Sequence, residues 1–402
     1  MGKRDLIVIS SYPDKGGVHT ARTVGVASYT KLILQSLAKQ FRKNITVFGE
    51  VLDKKENYNE DGIDVERSWK RGNIPSLIRL FSKVFFRQEM IILVSFEINM
   101  FGGYIHALIA VLGMFCLKVR GKKIMLILHQ APDDLNEMVA SKFKLVISNV
   151  VLKLLYATFR MVSTRIIVFE EYLKKVVGGR NIAFIPHLVS ELNNHISKSK
   201  AREILGWDKD KKYALVFGYI APYKGIRELL AAWTAETGYQ LVLAGGVNPN
   251  HLSNKTVLEY YDQVYKLAIE RKVEITGFVR EDLIPFYYAG SDVVILPYKK
   301  MFSSSGPLAM AWSMGKPILM SEALSKYLLS PDVKETLVQA GLNEKEIFVE
   351  INAKSLANTL RHLDLSKVKK YGKWGEKMSK QREIGIVSKM YSDEISSLQG
   401  ER

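Results

Sequence analysis

Two segments bring groups that could hold phosphate to the end of a strand. Residues 214–230 read ALVFGYIAPYKGIRELL, a buried-strand pattern followed by a tight loop, Lys224 and a helix start. Residues 293–319 read VVILPYKKMFSSSGPLAMAWSMGKPIL, in which Ser303, Ser304, Ser305, Gly306, Pro307 and Leu308 lead from a strand into a helix. The first turn of a helix presents N–H groups without intrahelical partners and a partial positive charge, so it can seat a phosphate. A lysine converging on that point would neutralise a diphosphate. The pairing points to an enzyme whose leaving group is a nucleoside diphosphate, with the amides of Leu308 and Ala309 as donors. Serine is also a preferred N-cap, so plain capping is the alternative for this loop, and the two roles are compatible.

These residues need elements that carry them to one place. Strand and helix patterns alternate almost throughout, which predicts an α/β chain with parallel sheets and crossover helices. DLIVISS, NITVFGE, EMIILVSF, KKIMLILH and TRIIVFE read as strands of a first half, and KKYALVFGYI, TGYQLVLAGG, KVEITGFV and SDVVILPY as strands of a second. A chain of 402 residues suits two domains. Ligands of open α/β sheets bind beyond the carboxyl ends of the strands, and the other candidates sit there too. Gly16, Gly17 and Gly25 follow the first strand, in a loop that also carries Lys15, His19 and Arg22. His129 ends KKIMLIL, Glu170 and Glu171 follow TRIIVF, and Gly277, Phe278 and Val279 follow VEIT. Asp133 and Asp134 read as charges at the start of the next helix. His187 reads as structural, and Cys116, the single cysteine, as a buried thiol.

FGYIAPYKG (217–225), LVLAGG (241–246), VEITGFV (273–279) and SSSGPLAMAWSMGKPI (303–318), in this order, resemble the nucleotide-binding domain of the retaining, family-4 type glycosyltransferases. SSYPDKGG, GVASYT, the strand ending in LHQ and the tripeptide IPH extend a looser likeness over the first half. The resemblance implies a GT-B fold of two Rossmann-like domains facing across a cleft. An N-terminal acceptor-binding domain would cover 1–187, a nucleotide-sugar-binding domain 188–379, and a helix within 380–402 would pack back onto the first. Lys224 would contact the donor diphosphate, with Gly16 and Gly17 beneath it. His129 would reach the donor sugar, and Gly277, Phe278 and Val279 would read the base. Tyr219 stands where many relatives carry an arginine. The implied reaction moves a sugar from a nucleotide donor to a hydroxyl of a glycan or lipid-linked acceptor, with no cofactor and no catalytic metal. One departure is sharp. The family's Glu-x7-Glu pair falls on Phe302 and Met310, so both carboxylates are absent. That leaves open a non-catalytic protein that binds a sugar nucleotide or glycan.

Charge is uneven. Residues 1–185 carry 28 Lys and Arg against 16 Asp and Glu, and the remainder 30 against 25. No nucleic-acid module is recognisable, and an anionic membrane surface is the better match for the basic half. WKRGNIPSLIRLFSKVFFRQ (69–88) interleaves Arg79, Lys83 and Arg87 with Trp69, Leu80 and Phe85 at helical spacing, the pattern of an interfacial helix. A core helix with a basic outer face would read the same way. Residues 102–119 are apolar but broken by His106 and too short to span a bilayer, so they read as a buried crossover helix. The apolar run LIVIS near the start is too short for a signal peptide. The expected location is cytoplasmic, or peripheral on the cytoplasmic membrane face.

Overall fold

The computed structural model describes residues 6–17, 25–97, 100–136, 142–189, 196–248 and 255–400. His19, Arg22 and the polar linker segment 190–195 lie outside them. The first sheet contains β1 (Leu6–Ile9), β2 (Ile45–Glu50), β3 (Asn57–Glu60), β4 (Ile63–Trp69), β5 (Ile91–Phe96), β6 (Lys123–Leu128), β7 (Arg165–Val168) and β8 (Ile182–Phe184). Their spatial order is β3-β4-β2-β1-β5-β6-β7-β8. Five helices lie between them in the chain: α1 (Gly25–Phe41), α2 (Ile74–Phe85), α3 (Tyr104–Val119), α4 (Lys142–Val162) and α5 (Glu171–Val177).

The second sheet contains β9 (Tyr213–Phe217), β10 (Gln240–Ala244), β11 (Glu274–Ile275), β12 (Val293–Leu296) and β13 (Ile318–Met320), in the order β11-β10-β9-β12-β13. All its pairings are parallel. α6 (Lys198–Leu205) precedes it, and α7 (Ile226–Ala232), α8 (Lys255–Glu270), α9 (Ile284–Gly290) and α10 (Gly306–Ser313) connect its strands. α11 (Pro331–Gln339), α12 (Glu344–Ile347), α13 (Ala353–Arg361), α14 (Leu365–Gln381) and α15 (Ile384–Gly400) follow.

Central strands are buried along their whole length because helices cover both faces. This is why they read as continuous Val, Ile and Leu runs. Several elements lie outside the expected set, β3 and α14 among them. β3 is antiparallel to β4, joined by Asp61 and Gly62 at φ of 53° and 80°. Two positive φ values make the tight hairpin turn that Asp-Gly favours. α14 was not foreseen, since LSKVKKYGKWGEKMSKQ is rich in Lys and holds two glycines. It buries Tyr371, Trp374, Gly375 and Met378, a stripe at helical spacing. A Cβ on Gly375 would lie 2.3 Å from the Trp312 carbonyl oxygen, so α14 approaches α10 closely only through glycine.

Three sequence expectations in the first half are corrected. Trp69 is fully buried and its indole N–H donates to the Phe48 carbonyl at 3.0 Å. The apolar face of α2, with Leu77, Leu80, Phe81 and Val84, is part of the core. Lys83 pairs with Glu66 at 2.6 Å, Arg87 lies 3.5 Å from Glu89, and Arg79 faces outward. α2 is therefore a core helix with a basic rim. Residues 104–119 do form a crossover helix, but half its surface is exposed, Cys116 included.

The last helix returns to the first sheet. The Tyr391 and Tyr29 hydroxyls are 3.0 Å apart, and Ser388 and Ser36 2.7 Å, as α15 lies on α1. At the crossing, Arg382 is fully buried. It makes two hydrogen bonds to Glu170 (2.9 and 3.1 Å) and two to Asp332 (2.6 and 3.2 Å). Removing one partner of a buried pair strands the remaining charge. Arg382→Ala is expected to lower the unfolding free energy by about 3–5 kcal/mol, measured by urea denaturation.

Candidate functional site

Each sheet has one point where the strand order reverses, β1 beside β5 in the first and β9 beside β12 in the second. Loops there diverge and leave a crevice. In the first sheet a buried hydroxyl chain ties α1 to that point. Thr30 Oγ1 lies 3.0 Å from Ser10 Oγ and 3.2 Å from Ser95 Oγ. This holds the start of α1, with Gly25 and Ser28, against the cleft.

A cavity of about 370 Å³ lies between that helix start and the second sheet. Gly25 and Ser28 line it on one side. Gly218 and Tyr219 after β9, Gly245 and Gly246 after β10, and Phe278 to Glu281 after β11 line the other. The glycines permit close strand ends. A Cβ on Gly245 would stand 2.0 Å from the Gly218 carbonyl oxygen, and one on Gly246 would stand 3.4 Å from Gly277 Cα. Gly277 has φ of 69°, which suits glycine. Tyr219, Phe278 and Val279 are thus brought together as expected, with the Phe278 ring exposed.

Lys224 ends a single 3-10 turn, Pro222–Lys224, whose Gly225 lies at φ of 66°. Its side chain folds back over β9. A Cβ on Gly218 would be 3.1 Å from Lys224 Nζ and 3.4 Å from Pro307 Cγ. The lysine and the start of α10 therefore converge on Gly218, as their spacing predicts. Nζ lies 5.7 Å from the centre of the Tyr298 ring. No carboxylate or carbonyl among the described residues accepts a hydrogen bond from it. Burial alone pulls its pKa down to about 8.

The serine loop is engaged otherwise than expected. Ser305 caps α10: its Oγ accepts from the Leu308 amide at 3.3 Å, and its carbonyl accepts from Ala309 at 3.0 Å. The Leu308 and Ala309 amides are therefore occupied by the cap. Ser304 donates to Glu170 at 2.9 Å, and the Ser303 carbonyl accepts from Tyr327 at 3.4 Å. Gly306, the first residue of α10, keeps its amide outside these bonds. Gly16 and Gly17 do not line the cavity. The Gly16 amide donates to Glu60 at 2.7 Å, and the Gly17 carbonyl accepts from Lys31 at 2.7 Å.

His129 is buried among Tyr29, Phe169 and His187, with ring centres 5.5 Å from Tyr29 and 5.1 Å from Phe169. Burial, with His187 adding to it, pushes its pKa down to about 3, so the ring is neutral. Its Nε2 has no partner among the described residues. Asp133 and Asp134 are not at the start of α4. Asp133 accepts from Tyr172 (2.8 Å) and Lys326 (3.0 Å), and Asp134 pairs with Lys300, so both tie the first half to the second. Glu170 faces Arg382 and the serine loop rather than open cleft.

Glu97 is a cleft residue that sequence reasoning missed. It stands one residue past β5 and accepts from Gln130 at 2.9 Å; burial raises the pKa values of Tyr219 and Tyr223, and the Glu97 charge adds to it. Burial raises its own pKa, opposed by Arg71. The signal was available, because EMIILVSF ends on it as KKIMLIL ends on His129. Phe302 and Met310 are apolar in contact as well as in type. Phe302 stacks on Tyr223 with ring centres 4.6 Å apart, and Met310 packs on the second core.

Residues 197–377 match the family described as glycosyl transferases group 1. The second half is a group 1 glycosyltransferase domain. No curated protein matches the chain by sequence. The whole chain is similar in fold to sucrose-phosphate synthase from Thermosynechococcus elongatus, at a TM-score of 0.75 and 16% identity over 100% of both chains. It is similar to Anabaena HepE in complex with UDP-glucose, at 0.67 and 15% over 98% of this chain and 99% of that one. A glycosyltransferase from Rickettsia africae matches at 0.68 and 13% over 100% of both. These likenesses establish the GT-B fold. In this glycosyltransferase fold the cavity lies between the two sheets.

The cavity's strand ends leave no room for side chains where two backbones meet. Gly245→Ala is expected to lower stability by about 1–3 kcal/mol, because its Cβ meets backbone. Gly25→Ala, whose Cβ would have nothing within 4 Å, is expected to stay within about 0.5 kcal/mol of the parent. Urea denaturation of the two variants compares them.

Proposed function

We propose that the protein is a retaining glycosyltransferase that moves a sugar from a nucleoside-diphosphate donor to a hydroxyl acceptor. The observation that carries this reading is Lys224, a buried cation with no carboxylate or carbonyl acceptor among the described residues, at the switch point beside a glycine-lined cavity. HepE has been solved with UDP and with UDP-glucose, so a uridine diphosphate sugar is the first donor to test. The base would lie near Gly277, Phe278 and Val279. The diphosphate would meet Lys224 and the Gly306 amide, where fixed positive charge stabilises a departing phosphate.

In a front-face displacement the bond from the anomeric carbon to the phosphate oxygen breaks as the acceptor oxygen bonds on the same side. The hydroxyl proton passes to the leaving diphosphate. Neutral His129 would accept a hydrogen bond at Nε2 from a donor-sugar hydroxyl, or donate one to it. Glu97 would orient a hydroxyl from the opposite wall. Charge neutralisation falls to Lys224 rather than to a divalent cation, and the acceptor is a glycan or lipid-linked hydroxyl.

A second reading, a binding protein without turnover, is favoured by Phe302 and Met310. Both positions of the carboxylate pair are packed in apolar contact.

Lys224→Ala should reduce donor turnover by about 10²-fold or more and remove the thermal shift that UDP gives the parent. Between pH 7 and 9.5 the parent should lose UDP affinity as the ammonium deprotonates. The fall begins at or above about pH 8, because bound phosphate favours the charged form, and Lys224→Met should flatten it. Titration calorimetry reads both. A UDP shift without sugar transfer or donor hydrolysis would select the second reading.

A further inference from the structure

α3 and α4 leave an apolar face uncovered. They cross from β5 to β6 and from β6 to β7, neighbouring parallel strands, and pack against each other. The inner side of α3, with Ala110, Met114 and Leu117, is buried in the core. Its outer side carries Leu108, Leu112, Phe115 and Val119, between 45% and 72% exposed. α4 extends the face with Phe143, Val146, Ile147, Val150 and Leu154, between 48% and 76% exposed. In each helix these side chains recur every three or four residues and form one stripe. Two adjacent stripes make one contiguous exposed apolar patch, the kind of surface that marks a protein or membrane contact.

The charge around this patch is mostly of one sign. Residues 98–169, which contain both helices, hold nine Lys or Arg against three carboxylates, Asp133, Asp134 and Glu137, of which the first two pair with Lys326 and Lys300. Arg120, Lys144 and Lys153 are exposed. A second copy would bring the same cations to the same face and repel. Anionic lipid headgroups would complement them. Phe143–Val162 is long and apolar enough to cross a bilayer by length and composition. However, its two ends join neighbouring strands of one sheet, so the helix lies along the sheet and can meet a membrane only side-on.

We propose that the outer face of α3 and α4 lies in the interface of an anionic lipid membrane. Its apolar side chains enter the acyl boundary, and the lysines and arginine remain among the headgroups. This replaces α2, whose apolar side is in the core. Both helices begin near the carboxyl ends of β5 and β6, the end that bears Glu97 and His129. A lipid-borne acceptor would therefore reach the cleft along this face. That consequence rests on the transferase reading; membrane binding does not.

Cys116 is the single cysteine, exposed on α3, and takes an environment-sensitive fluorophore. Vesicles of phosphatidylcholine with phosphatidylglycerol should shift the label's emission to the blue and carry unlabelled protein down on sedimentation, and vesicles of phosphatidylcholine alone should do so far less. A Leu108→Glu, Leu112→Glu, Val150→Glu variant should bind about tenfold more weakly or worse, with its melting temperature and UDP response unchanged. Parent protein that ignores the anionic vesicles, or a variant that binds them equally, overturns the proposal. So does a dimer in analytical ultracentrifugation that the variant breaks, since the face then meets a second copy.

Discussion

The Arg382 guanidinium, held between Glu170 and Asp332, fixes how the two sheets face each other. Glu170 follows β7 in the first sheet, and Asp332 sits in the first turn of α11. Arg382 joins α14, which packs on the second sheet's helices, to α15, which packs on α1. Glu170 also accepts from Ser304 and Ser330 at 2.9 Å each, so both its oxygens are satisfied. Burying three charges is expensive, and such a cluster is weak evidence for stability. Its effect here is positional. It ties the end of β7 to the serine loop and to the chain crossing, and smaller links repeat the tie. The Ala131 amide donates to the Phe302 carbonyl at 2.7 Å, Lys300 pairs with Asp134, and Lys326 pairs with Asp133. The cavity has walls from both halves because these bonds hold the halves together.

Within those walls, burial sets the chemistry. It makes the Lys224 ammonium easy to deprotonate and keeps the His129 ring neutral. A lysine without a carboxylate partner gains most when an anion arrives, because the anion restores what desolvation removed. The same logic separates Lys224 from Lys316. Burial also lowers that pKa to about 8, but Lys316 donates to the carbonyls of Ala289 and Ser291 and so holds structure. With both carboxylates absent at Phe302 and Met310, the proposed donor would be held by backbone, by Lys224 and by groups across the cleft.

Much of this was legible in the residues because parallel strands buried on both faces have to be apolar runs, and ligands have to lie at their carboxyl ends. Lys224, His129, Tyr219 and the Gly277–Val279 segment follow from that rule. Glu97 obeys it as well, but a single carboxylate beside no motif gives little to notice. The α2 segment reads either way because a core helix with a basic rim has the same periodicity as an interfacial one, and only the packing partner differs; Trp69 stands outside that helix, at the end of β4. The exposed face of α3 and α4 was missed for the converse reason, since a stretch apolar on every side does not say which side is covered. The Leu308 amide was assigned to phosphate although Ser305 was positioned to cap it. α14 went unseen because Gly375 reads as a breaker until the Trp312 carbonyl it accommodates is known.

The most direct measurement is a crystal structure of the protein grown with UDP-glucose. The account places the base against Gly277–Val279 and a phosphate oxygen within hydrogen-bonding distance of Lys224 Nζ. Nucleotide bound elsewhere, or an empty cleft at saturating ligand, would contradict it.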